Sequence, residues 1–404
     1  MNLQFGEKYE QLRAEVRAFC AESWPLRGAE AKLDERAQAI AWRKRAIAAG
    51  FLHRTVPQAY GGAGAEPDVM ADTVIRQELD RAGAPHVGSV QGTHMLVPTL
   101  LECGTEEQRR EYILPTLTGE ITWCQGYSEP GAGSDLASLR SRAELVGDEW
   151  VLNGQKIWTS QATEADMMFG LFRTEPDAAK PHAGISYLLI PMSTPGIDPR
   201  PLKMMQGGVD FCEVFFDGAR IPARNIVGRR GEGWKVTKAT LKHERMLIGD
   251  TTGTRMSFDA LLALARAVQR DGRPALEHPV LRQRLAEIAG YVATQEWAVA
   301  RMLTAFHQGR DMEVLSELLT TKLFGTNLQQ MIAKLALELI PDQGLREPDP
   351  DEATMSLRGF TRGRWVSQYM FTLAYAIAGG ASNVQRNIIG EIVLGLPRDQ
   401  RPAR

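Results

Sequence analysis

The chain has 404 residues, more than a single hydrophobic core usually serves, so two or three packed units are expected, with room to bury a large cofactor. Its 47 Lys and Arg residues nearly balance 49 Asp and Glu residues, for a formal charge of −2 without long runs of either sign, which gives no case for nucleic acid or an acidic polymer as partner. Hydrophobic residues make up 44% of the chain but never run uninterrupted for the roughly 18 residues that a membrane-spanning helix needs, so a soluble protein is expected.

Met1 to Glu7 lacks a basic region followed by an apolar stretch, which argues against a secretory signal and makes a cytoplasmic location the expectation. From residue 7 to about 121 apolar residues recur at helical intervals, as in Tyr9 to Phe19 and Ala39 to Ala49, with Pro57, Gly61, Gly62 and Gly64 marking a loop. Between about 122 and 230 the pattern changes to short β-type runs: Glu149 to Leu152, Gln155 to Thr159, Met167 to Phe172, Ile185 to Ile190 and Cys212 to Phe216. Asn153-Gly154 and Asp217-Gly218 read as two-residue hairpin turns, because a type I′ turn needs positive φ at both central positions. After Gly233 long helical patterns return, over Trp234 to Ile248, Ser257 to Val268, Leu281 to His307 and Met312 to Leu339. Arg346 to Glu352 is charged and proline-rich enough for an exposed loop.

The expected fold is therefore α+β in three parts. Residues 1–121 form an N-terminal helical domain, 122–232 a middle antiparallel β-barrel-like domain, and 233–404 a C-terminal four-helix bundle. Helices, strands and helices in that order lack the alternation that builds a parallel sheet, which disfavours a Rossmann fold. Cys20, Cys103, Cys124 and Cys212 are far apart without metal-ligand spacing, so reduced and mostly buried thiols are expected, and no metal.

Two stretches carry chemistry. In Tyr127-Ser128-Glu129-Pro130-Gly131-Ala132-Gly133-Ser134-Asp135, small residues allow close backbone approach to a ligand and Ser128 and Ser134 offer hydroxyls, although a plain loop before a helix cap reads the same way. In Asn153-Gly154-Gln155-Lys156-Ile157-Trp158-Thr159-Ser160 a strand ends in an aromatic and two hydroxyls. Such a Trp can cover a planar ring, or belong to a core. A third feature is Glu244. Trp234, Thr237, Leu241, Leu247 and Ile248 recur at helical spacing, and Glu244 falls on their stripe, where a carboxylate needs a partner, such as an arginine, or a raised pKa.

The two stretches resemble the paired flavin motifs of the acyl-CoA dehydrogenase family, Thr/Ser-Glu-Pro-x-x-Gly-Ser-Asp and Asn-Gly-x-Lys-x-Trp-x-Thr/Ser. The resemblance runs from the Pro57 to Gly62 loop through Gly104-Thr105 and Gly119-Glu120 to Leu394-Gly395-Leu396-Pro397-Arg398. It implies an FAD flavoenzyme that dehydrogenates the Cα–Cβ bond of an acyl-CoA to the trans-2-enoyl-CoA. By the same resemblance Tyr127, Ser128, Gly133, Ser134, Trp158, Thr159 and Ser160 contact FAD: Ser128 bonds the flavin ring, Trp158 covers one face and Ser160 donates to the N5 region. Ser134 lies where flavin and the CoA arm meet. Family members place the carboxylate base at one of two positions. In Ala378-Gly379-Gly380-Ala381-Ser382-Asn383 a glycine stands where one would be, whereas His243-Glu244-Arg245 supplies the other, making Glu244 the expected base. Gly379 then offers its N–H to the thioester carbonyl, Ala381, Ser382 and Asn383 touch the flavin, and Arg245 helps hold the CoA arm. Flavin N5 takes the β-hydride, and electrons leave to an electron-transferring flavoprotein.

Two family motifs that reach across a dimer to the neighbour's FAD are degraded, reading Arg270-Asp271-Gly272-Arg273-Pro274 and Glu338-Leu339-Ile340-Pro341-Asp342-Gln343-Gly344. The expected assembly is a homotetramer or an α2β2 heterotetramer with a paralogous subunit that completes one FAD site per αβ pair. The alternatives are an oxidase of the same fold and a non-catalytic subunit that binds acyl-CoA.

Overall fold

The computed structural model describes residues 6–86, 88–247, 251–340, 342 and 362–397; the side chains of 242–247, 252, 306, 307, 311, 362 and 363 lie outside this set. Gln343-Gly344 of the second degraded motif and the expected loop Arg346 to Glu352 also lie outside it. The chain separates into two compact units. One comprises Met1–Arg200 and Phe211–His243, the other Pro201–Asp210 and Glu244–Arg404.

The first unit opens with α1 (Glu7–Ser23), α2 (Glu35–Ala48), α3 (Val69–Ala82), α4 (Val97–Cys103) and α5 (Glu106–Thr118). Their ends follow capping chemistry. Asp34 accepts from Ala37 N and Asp68 from Ala71 N, while Thr105 and Gln108 form a reciprocal capping box and Gly119 closes α5 at φ 86°. A π-helical turn, Gln91–Leu96, precedes α4. Helices α1 and α3 are clasped through buried Glu78, which accepts from Arg13 Nη1 and Arg17 Nε at 3.0 Å each.

The strands are β1 (Trp123–Gly126), β2 (Arg142–Val146), β3 (Glu149–Ser160), β4 (Met167–Arg173), β5 (Ile185–Pro191), β6 (Ile197–Leu202), β7 (Phe211–Pro222) and β8 (Ile226–Val227). They form an eight-stranded sheet in the order β6-β7-β3-β2-β4-β5-β8, with β1 on β4. Most pairs are antiparallel, but β1 runs parallel to β4 and β2 meets β4 in parallel at Arg142, so the sheet is mixed. Six consecutive residues of β4 and of β5 are buried, which accounts for their unbroken apolar runs.

Both expected hairpin turns are corrected. Asn153-Gly154 lies inside β3 and Asp217-Gly218 inside β7; the two pairs face one another where the β3–β7 register shifts after Leu152. Asn153 Oδ1 accepts from Gly218 N at 3.0 Å, and Gly154 and Gly218 have φ of 139° and 63°. The left-handed freedom that the sequence advertised is spent on a mid-strand bulge that bends a long ribbon. The actual β2–β3 turn is Gly147-Asp148, with Gly147 left-handed at φ 65°.

Helix α6 (Gly233–Leu247) starts in the first unit and ends in the second. The second unit continues with α7 (Thr252–Ala267), a hairpin of β9 (Gln269–Arg270) and β10 (Arg273–Pro274), α8 (Pro279–His307), α9 (Leu315–Leu339), α10 (Arg362–Tyr375) and α11 (Ser382–Ile392). Phe258 and Leu261 of α7, Leu285 and Ile288 of α8, Leu328, Ile332 and Leu335 of α9, and Trp365 of α10 share one buried core, the expected four-helix arrangement. Cys20, Cys124 and Cys212 are buried and Cys103 half-buried, all of them free. Among the described residues no helix is long and apolar enough to cross a membrane.

Candidate active site

The two motifs meet through a buried ion pair. Glu129 of the first and Lys156 of the second are 2.7 Å apart, with Lys156 fully buried. Glu129 also accepts from Arg140 N at 2.6 Å and Ser141 N at 2.9 Å, Lys156 donates to Tyr127 O at 3.3 Å, and Ile157 N donates to Ser128 O at 2.9 Å. Burial works to raise the Glu129 carboxyl, but the charge and bond of Lys156 and the backbone donors together hold it below its ordinary range. Burial pulls Lys156 the other way, down to about 8, against the support of Glu129. Neither role was read from the sequence, although a lysine at an inward strand position opposite a motif glutamate is a signal of one.

This pair positions the end of β3. Between Lys156 and Thr159 the pairing with β7 shifts again, and Trp158 takes up the slack at φ 60°, a left-handed conformation unusual for a bulky side chain. The bulge turns its indole outward, 56% exposed, with Phe211 edge-on at 6.2 Å. Ser160 and Ser128 are half-buried, and Gly133 and Ser134 are exposed. Tyr127 is buried edge-on to Tyr187 at 6.2 Å. Thr159 is buried, and its Oγ1 has no hydrogen-bond partner among the described residues. The structure thus joins the two motifs at Tyr127 to Glu129 and Lys156 to Ile157.

These residues fit a flavin. An outward indole offers a flat apolar face, Ser128 and Ser160 offer hydroxyls, and a Cβ added at Gly131 or Gly133 would meet open space. A cavity of about 390 Å³ lined by Pro130, Gly131, Arg140 and Gln155 lies beside the first motif, but Ser128, Trp158 and Ser160 do not line it, so it does not mark the ring face.

Helix α6 is anchored in the first unit by Thr240, whose Oγ1 lies 2.9 Å from that of Thr99 on α4, both fully buried. Its buried stripe runs through Gly233, Val236, Thr237 and Thr240, with Trp234 and Leu241 half-buried at the edge. The side chains of Glu244 and Arg245 lie outside the described residues.

In the second unit, Gly379 and Gly380 form an exposed turn between α10 and α11, with φ of 61° and 96°. Ala381 caps α11 and Ser382 begins it, both half-buried, and exposed Asn383 accepts from Arg386 Nη1 at 3.1 Å. Lys322 of α9 donates to Gly380 O at 2.7 Å, a contact not foreseen from the sequence. The degraded Arg270 to Pro274 motif is a hairpin with Asp271 and Gly272 left-handed at φ 52° and 77°. The type I′ dipeptide expected at 217–218 thus occurs here instead.

Comparison with known proteins places the chain in a family. Profiles of the acyl-CoA dehydrogenase N-terminal, middle and C-terminal domains match residues 6–120, 124–219 and 231–394. Acyl-CoA dehydrogenase IpdE1 of Mycobacterium tuberculosis is 37% identical, over 97% of this chain and 99% of its own. Among solved structures, the Tcur3481-Tcur3483 steroid ACAD superposes with a TM-score of 0.78 at 29% identity, covering 99% of this chain and 100% of that chain. The ChsE4-ChsE5 complex from Mycobacterium tuberculosis gives 0.77 at 28% identity, with the same coverage. Matched from end to end in sequence and in fold, the chain belongs to the acyl-CoA dehydrogenase family of flavoproteins and is an oxidoreductase of lipid metabolism.

Proposed function

We propose that the chain binds FAD and converts an acyl-CoA to its trans-2-enoyl-CoA, with Glu244 as the base. The observation that carries this reading is the joining of both flavin motifs by the Glu129–Lys156 pair beside an outward-turned Trp158. Tyr127, Ser128, Gly133, Ser134, Trp158, Thr159 and Ser160 would hold the cofactor, together with Ala381, Ser382 and Asn383. FAD, when bound, supplies the acceptor for the β-hydrogen. Glu244 removes the α-proton, and the Gly379 N–H polarises the thioester carbonyl so that this proton is acidic enough to leave. Arg245 and Ser134 hold the CoA arm. The division at 121 and 232 into three domains belongs to the same reading.

Glu244→Gln is expected to lower kcat by roughly 10²–10⁴, the usual contribution of a general base, at unchanged FAD content. Activity at the wild-type level would assign the base elsewhere or make the chain an acyl-CoA-binding subunit. Stoichiometric hydrogen peroxide in turnover would mark an oxidase; reduction of an electron-transferring flavoprotein would mark a dehydrogenase.

Two solved relatives, a steroid enzyme and a two-protein complex, support a bulky acyl group and a paralogous partner in an α2β2 assembly for this chain as well. Comparing straight, branched, aromatic and steroidal acyl-CoAs with an artificial acceptor tests the first point.

A further inference from the structure

We propose that Lys322 is a positioning residue for the Gly379–Ala381 turn: its buried ammonium holds the Gly380 carbonyl and so aims and strengthens the backbone N–H groups offered to the thioester oxygen. The proposal rests on the assignment of Gly379 as the polarising donor.

Lys322 is 8% exposed on α9, and its Nζ lies 2.7 Å from Gly380 O. No carboxylate is paired with it among the described residues, and burial pushes its pKa below the ordinary lysine value. A buried cation without a counter-ion is costly to keep, and a staple alone does not call for one. The turn is already closed by its own backbone: Ile377 N and Ala378 N donate to Ala374 O at 2.9 Å, and Ser382 N to Ala376 O at 2.8 Å. A side chain at Gly380 would also run into the Gln385 amide, which restricts the path further.

What the backbone leaves open is the direction of three consecutive donors. The N–H groups of Gly379, Gly380 and Ala381 have no acceptor among the described residues. Gly380 O and Ala381 N belong to one peptide plane, so a cation on the oxygen fixes that plane and draws electron density from its N–H. Two left-handed residues in succession couple this plane to the Gly379 N–H beside it. A positive charge behind the turn thus acts on the face where negative charge develops in front of it.

The test uses the complete FAD-loaded enzyme, with its paralogue if one is needed, and the enoyl-CoA formed from its best substrate as the probe. Infrared difference spectra report the thioester carbonyl stretch free and bound. A lowered frequency in the wild type supports the Gly379 assignment; an unshifted one rejects that assignment, whatever the variants do. Given the wild-type shift, Lys322→Met is expected to lose much of it and to lower kcat about tenfold or more at similar KM and flavin content. Lys322→Arg should recover part of both. A Lys322→Met enzyme with the wild-type carbonyl shift and kcat overturns the proposal. Should that variant not fold, Lys322→Gln, which keeps a neutral donor, decides by the same spectrum: a reduced shift supports the role of the charge, and a full shift overturns it.

Discussion

Trp158 shows how a single residue can be held for its ligand at the expense of its backbone. A left-handed residue with a side chain costs roughly 1–2 kcal/mol, and here it lies within a bulge whose neighbours Lys156 and Thr159 are buried. Trp158→Gly is therefore expected to leave the cofactor-free protein within about 1 kcal/mol of wild type, since relief of strain offsets the added freedom of glycine. FAD affinity should nonetheless fall roughly tenfold, read by flavin fluorescence titration. The residue beneath it behaves in the opposite way. Lys156→Met strands the Glu129 carboxylate in the interior and should cost about 3–5 kcal/mol in urea unfolding, much of it regained in the Glu129→Gln/Lys156→Met double variant. Trp158 and Ser160 were singled out from the sequence as candidates because the motif names them. The Glu129–Lys156 contact was not, because it joins positions 27 residues apart through a strand register that no local pattern fixes.

At the scale of elements, the long helices could be read directly. Apolar spacing and end chemistry such as the Thr105–Gln108 box agree, and tertiary packing follows them. The sheet was harder. Glycine after Asn or Asp signals positive φ but not its use, and the bulge where Asn153-Gly154 faces Asp217-Gly218 shares that signal with the hairpin at Asp271-Gly272. Gly154→Ala tests the bulge. A Cβ there would run into Ser141 on a backbone at φ 139°, and thermal unfolding should show a loss of about 1–3 kcal/mol. The α1–α3 clasp gives a pH signature instead. Bonds from Arg17, opposed by burial and aided by Arg13, hold the Glu78 carboxyl at about 2, below its ordinary 4.5. Because the folded value is depressed, this stabilisation is present above about 4.5 and lost as pH falls towards 2. Thermal midpoints should drop through that window more steeply in the wild type than in Glu78→Gln.

For the whole molecule, the order of helices, strands and helices was legible from the change in periodicity, and the expectation of a partner rests on two motifs that depart from the family pattern. Arg270 to Pro274 folds as a tight hairpin whose ends point the chain back into α8, and Val280, Trp297, Ile377 and Leu394 of the second unit stay exposed. Purified alone, the chain is expected to hold less than one FAD per copy and to gain one per αβ pair with its paralogue, counted by absorbance against protein mass. Full occupancy in the isolated chain would remove the reason for a partner.

The join between Glu129 and Lys156 bears on how the holoenzyme is made. Its bonds run within the chain, to Arg140 N, Ser141 N and Tyr127 O, so the platform is expected to hold with or without its guest. Stripping the flavin should empty a standing framework, with circular dichroism nearly unchanged and activity restored on mixing with FAD without a denaturation cycle.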